Sequence, residues 1–166
     1  MIGRASLVLC LIVPCVAIGT GCQPPAHTSP AAIAADSLRG IVSITGTAFE
    51  QRLVLRTGDI VTSLSAATSD SAALSRLGGV EVLVLGKRTP NLFRVDHFTA
   101  LSVAGSPVAD GVLRNAGGRV VLETTHGPIP LGNPPTALRG MIGARIWIGG
   151  PLDRGPNVYG LIAPAP

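Results

Sequence analysis

Beyond residue 22 the sequence has no cysteine; its three are Cys10, Cys15 and Cys22. The part that follows therefore holds no disulfide, no thiolate zinc cluster and no thiol nucleophile. Lysine occurs once, as Lys87, so the basic set is almost wholly arginine. Only 13% of residues are charged, so the pI of about 9.6 reflects a shortage of ionisable groups more than a strong positive field. The cations are spread along the chain, without the dense stripe that marks a nucleic-acid binder. Aromatics make up 3% of residues and offer few platforms for base stacking. No Gly-x-x-x-x-Gly-Lys-Ser/Thr phosphate loop exists, and the pairs Gly78-Gly79, Gly117-Gly118 and Gly149-Gly150 read as turns or strand edges. His97 and His126 form no triad spacing, and a metal site would need Asp110 or Glu123 brought in by the fold. These absences point away from an enzyme, and no metal or cofactor is expected.

The N-terminus carries the clearest signal. Arg4 precedes an apolar stretch from Ala5 to Gly21, and Gly19-Thr20-Gly21 stand before Cys22. A short positive region, an apolar segment and small residues at the cut are the parts of an export signal. The arrangement resembles a bacterial lipoprotein signal, in which the cysteine is acylated and becomes the mature N-terminus; Gly19 stands where such signals usually carry Leu. The resemblance implies a signal peptide over 1–21, lipid attachment at Cys22 and a place in the bacterial cell envelope. The expected location is the periplasmic face or the outer membrane, and Gln23 after the cysteine leans towards the outer membrane. Ordinary cleavage and an uncleaved anchor are the competing readings. The anchor is disfavoured because about 17 apolar residues interrupted by Pro14 barely cross a bilayer. Residues 22–38, rich in Pro, Ala and Ser, read as a flexible tether with room for a short helix over 31–38.

The remainder contains a duplication. Residues 73–86 match 137–150 at an offset of 64, setting Leu74 on Leu138, Gly79 on Gly143, Val82 on Ile146 and Val84 on Ile148. Arg52–Thr57 matches Arg119–Thr124 at 67, Pro90–Val95 matches Pro156–Leu161 at 66, and Gly40–Val42 matches Gly111–Leu113 at 71. The order is kept and the offsets drift only at loops, which defines repeats over 39–104 and 105–166.

Each repeat reads as five short strands rich in β-branched residues and leucine. A helix over about 69–78 is expected in the first, capped by Asp70 or Ser71 and stopped by Gly78; Pro134-Pro135 starts the corresponding piece in the second. The expected class is mainly β, two tandem five-stranded barrels or half-barrels with a short helix between strands three and four. That order resembles the oligonucleotide/oligosaccharide-binding (OB) fold; a β-sandwich is the alternative. A lone repeat of about 60 residues would be marginal, so the copies are expected to pack together.

The OB resemblance implies ligands on strands two and three and on the 1–2 and 4–5 loops. In the first repeat those places hold Phe49, Glu50 and Gln51, with Arg52, Arg56, Lys87, Arg88 and Asn91 as candidate binding residues. Solvated hairpin tips explain the same charges without a ligand. Phe93 and Tyr159 align and are expected in the core; Trp147, opposite in facing to Ile146 and Ile148, is expected where the repeats meet. Membrane-tethered OB haem chaperones resemble the layout, but their His-x-x-x-Tyr motif is missing at His97 and His126. The resulting expectation is a non-enzymatic lipoprotein, partnered by the membrane through its lipid and by an envelope protein or glycan. Oligosaccharide or nucleic-acid binding is the alternative function.

Overall fold

The computed structural model describes residues 35–47 and 49–166. The leader, Cys22 and the tether as far as residue 34 lie outside the described residues. The first repeat contributes β1 (Asp36–Thr47), β2 (Glu50–Thr57), β3 (Ile60–Ser65), α1 (Thr68–Ser75), β4 (Val80–Arg88) and β5 (Phe93–Val103). The second contributes β6 (Ser106–Ala116), β7 (Arg119–Thr124), β8 (Gly127–Pro130), α2 (Thr136–Arg139), β9 (Arg145–Gly149) and β10 (Val158–Ala163). The protein is mainly β, with one short helix between the third and fourth strands of each repeat.

In the first repeat β1 pairs with β2 and β4, β2 with β3, and β4 with β5. A two-residue parallel seam, Leu64 beside Phe93 and Ser65 beside Arg94, joins β3 to β5 and completes a ring of strands. The second repeat has the corresponding pairs β6–β7, β6–β9, β7–β8 and β9–β10, but among the described residues no seam joins β8 to β10. The residues that match the seam are engaged elsewhere. At the β2–β7 offset of 67, Leu64 and Ser65 fall on Leu131 and Gly132. Gly132 donates its amide to the Leu152 carbonyl at 2.9 Å, within a 4–5 loop that runs over 150–157 against 89–92 in the first repeat.

The duplication extends to individual hydrogen bonds. Gly79 donates to the Val42 carbonyl at 3.0 Å, and Gly143 to that of Leu113 at 2.8 Å. Leu77 donates to Leu74, and Met141 to Leu138. Gly79 and Gly143 both have positive φ, +81° and +90°, which makes glycine the favoured residue at this turn. Gly40 and Gly111 share another constraint: a Cβ there would run into the carbonyl oxygens of Arg56 and Glu123 respectively.

Two cores result. The first gathers Val42, Leu55, Leu74, Leu77, Val82, Val84, Phe93 and Phe98, and the second Leu113, Leu122, Leu138, Ile146 and Ile148. The β6–β9–β10 sheet serves both. The rows Ala109–Ile148–Tyr159 and Gly111–Ile146–Leu161 face the second core. On its other side Val108, Trp147 and the fully buried Ile162 pack against the first. The described residues accordingly form one compact unit, and Trp147 lies where the repeats meet.

Four local expectations are corrected. Residues 36–38 are strand, not helix: Asp36, Ser37 and Leu38 pair with Gly86, Leu85 and Val84, and Leu38 packs on the first core. Neither Asp70 nor Ser71 caps α1; the cap position is Ala67, whose carbonyl accepts from Ser71, so both polar residues lie inside the first turn. The positive-φ residue after the helix is Gly79, not Gly78, because the chain continues in a tight turn through Leu77. Phe93 and Tyr159 both pack apolar cores but are not register equivalents. Tyr159 pairs with Ile148 as Phe98 pairs with Val84, since the β4–β5 hairpin of the first repeat is the longer one.

Candidate functional site

Strands two and three of each repeat line a cleft. In the first repeat it is bounded by Gln51, Arg52, Leu53, Ser63, Ser65 and Asn91, with a volume of about 480 Å³. In the second, Arg119, Val120, Pro130, Leu131 and Gly132 line a cleft of about 960 Å³. At the β2–β7 offset of 67, Arg119 falls on Arg52, Val120 on Leu53, Pro130 on Ser63 and Gly132 on Ser65. The two clefts are therefore one site duplicated. The second is larger where the seam is missing: Gly132 donates its amide to the Leu152 carbonyl at 2.9 Å, and the long 4–5 loop folds Leu152 and Asp153 into the wall.

Of the five candidate residues, the structure brings Arg52 and Asn91 together at the first cleft. Arg56 sits further along β2 between Ile41 and Val61, away from the cleft lining. Lys87 and Arg88 close β4 opposite Arg94 and Phe93, and the Arg88 amide donates to Asp36. Lys87 and Arg94 are like charges set directly across a strand pair, an arrangement that favours neither. Phe49 is 99% exposed beyond the β1–β2 tip. The second cleft, with Arg119 and Arg139, went unremarked at the level of sequence. Its signal was the repeat alignment that sets Arg119 on Arg52; Arg139 had none.

Two ion pairs hold corresponding places with their charges exchanged. The repeat offsets set Asp110 on Arg39 and Arg145 on Glu81. In the first repeat Arg39 donates to Glu81 through Nε at 2.8 Å and Nη2 at 3.0 Å, and the Ser102 hydroxyl donates to the same carboxylate at 2.7 Å. Those donors, Arg39 first, hold the Glu81 carboxyl down at about 2, and the pairing raises Arg39. This pair stands at the surface, with Arg39 63% exposed.

The second pair is sunk between the repeats. The Asp110 side chain is 3% exposed and accepts from Arg145 Nε at 2.9 Å, Arg145 Nη2 at 2.8 Å and the Ala100 amide at 2.8 Å. Arg145 Nη2 also donates to the Phe98 carbonyl at 2.6 Å, and its guanidinium lies 4.4 Å above the Phe98 ring. Phe98 and Ala100 lie between the stretches of β5 that pair with β3 and with β6, so this stretch lacks a strand on that side. One carboxylate and one guanidinium thus satisfy backbone groups that a strand would otherwise have paired. Asp110 is spent on structure.

Among the described residues no group of three or more His, Cys, Asp or Glu side chains comes together, and no buried side-chain polar atom lacks a partner. No helix among them is long and apolar enough to cross a membrane. Each repeat has an open cleft with an arginine in its lining; the first is lined mostly by polar side chains, and the second has Val120, Ile129, Leu131 and Leu152 as an apolar floor. No protein-family model, curated protein or solved structure matches this chain.

Proposed function

We propose that this chain is an exported, membrane-anchored lipoprotein of the bacterial cell envelope that binds a partner or small ligand without chemically transforming it. The anchor is the acyl group on Cys22, and the duplicated module beyond the tether is the binding part. The observation that carries the binding reading is the repetition of the cleft: the same strand positions form it twice, one copy about 960 Å³ and the other about 480 Å³. A volume of several hundred cubic ångströms with an apolar floor and few polar groups is the usual form of a ligand site, and the second cleft has that form. Nucleic acid is the weaker alternative, because neither cleft is lined by an aromatic side chain on which a base could stack.

The anchoring part is tested by the substitution Cys22→Ser, expected to abolish fatty-acid labelling and to block maturation in the native host. Normal maturation of that variant would remove the anchor from the account. The binding part is tested by native mass spectrometry of protein taken from the envelope of that host. A stoichiometric companion supports it, and a bare chain in every preparation contradicts it.

A further inference from the structure

The second cleft differs from the first in charge as well as in size. In the first repeat Glu50 lies 3.7 Å from Arg52 and offsets it. At the matching offset the second repeat has Gly117, and Arg119 has no acidic partner among the described residues. Arg139 adds a second cation where the first repeat carries Ser75. Its Nε donates to the Pro134 carbonyl at 3.2 Å, which orients the guanidinium and leaves both terminal nitrogens without a hydrogen-bond partner among the described residues. The one carboxylate in the lining, Asp153, is 78% exposed and lies 3.7 Å from Arg154. Val120, Ile129, Leu131 and Leu152 supply the apolar surface, and no aromatic ring contributes.

We propose that this cleft binds a small amphiphilic oxyanion: a carboxylate or phosphate met by Arg119 and Arg139, carried on an aliphatic body that lies on Val120, Ile129, Leu131 and Leu152. The proposal rests on the reading of the clefts as ligand sites and adds the class of ligand. Guanidinium groups recognise both oxyanions by paired N–H donors. An apolar floor without aromatic faces favours an aliphatic body over a nucleobase or a neutral sugar ring. The volume, about 960 Å³, lies at the upper end of the small-molecule range.

The test uses the full chain in phosphatidylcholine nanodiscs, followed by methyl NMR at Ile129, Leu131 and Leu152. The probes are hexanoate, hexyl phosphate, inorganic phosphate and hexyl glucoside. Hexanoate or hexyl phosphate should move those methyl signals, with hexyl glucoside at least about tenfold weaker. Arg119→Ala and Arg139→Ala should each weaken the better anion about tenfold, while Arg94→Ala, an exposed arginine outside both clefts, leaves it unchanged. Both arginines are exposed, so methyl signals away from the cleft report that the variants remain folded. The stronger of the two anions identifies the headgroup as carboxylate or phosphate. Inorganic phosphate binding as tightly as hexyl phosphate would overturn the aliphatic part. Equal affinity for hexyl glucoside, with arginine variants indifferent, would overturn the oxyanion part and leave the cleft reading standing. No methyl shift with any probe would overturn both.

Discussion

Removing the Asp110 carboxylate should uncouple the two repeats, and the structure sets the size of the effect. Asp110→Ala takes away three charge-assisted acceptor contacts, two from Arg145 and one from the Ala100 amide. It leaves that amide unpaired and a guanidinium, 25% exposed, without its counter-charge. Breaking a buried pair from one side costs about 3–5 kcal/mol; the residual exposure of Arg145, its bond to the Phe98 carbonyl and the Phe98 ring beneath it place the expected loss near 3 kcal/mol. With a urea m-value of about 1.5 kcal/mol/M, the midpoint falls by about 2 M. Trp147 stands opposite Asp110 in the β6–β9 pair and packs against the first core, so its fluorescence reports this junction directly. Arg39→Ala, at the matching place in the first repeat, is the internal control. Its pair is exposed and screened by solvent, so its midpoint should fall by clearly less than that of Asp110→Ala. If Asp110→Ala unfolds within 0.5 M of the parent (about 0.75 kcal/mol at that m-value), the clasp is not what joins the repeats.

Two further outcomes are expected. Gly40→Ala and Gly111→Ala should each destabilise by about 2 kcal/mol or more, because the added methyl meets the carbonyl of a neighbouring strand; Gly78→Ala, with open space and ordinary φ, should be near neutral by thermal unfolding. Glu81 should titrate near 2 by carbon-detected NMR and move up towards the usual carboxylate range in Arg39→Ala. Because its folded value is depressed, the stability it contributes is present above the usual carboxylate range and fades as pH falls towards 2. A Glu81 midpoint near 4 in the parent protein would mean that the Arg39 and Ser102 donors are not held in solution.

The duplication was legible because it is carried by core residues and by glycines whose backbone demands do not change between copies. Leu74 and Leu138, or Gly79 and Gly143, keep their identity because their places in the fold are the same. The strand order and the short helix followed from alternation and turn residues in the same way. What stayed hidden depends on contacts between distant segments. The exchange of charge from Arg39–Glu81 to Asp110–Arg145 leaves no trace in either segment alone, since neither pattern says which side chains will be covered. The open ring depends on the longer 150–157 loop, whose Leu152 carbonyl takes the Gly132 amide, and neither segment shows that contact by itself. The candidate binding residues were drawn from the first repeat, where the cations are more conspicuous. The larger cleft lies in the second, where Gly117 replaces Glu50 and Arg139 adds a second cation.

The most direct test of the account is native mass spectrometry of the protein from its own host's envelope, parent and Arg119→Ala/Arg139→Ala side by side. The account predicts an acylated chain beginning at Cys22 that carries a stoichiometric small anionic companion, absent from the double variant. A chain without acylation, or one equally bare in both, would contradict it.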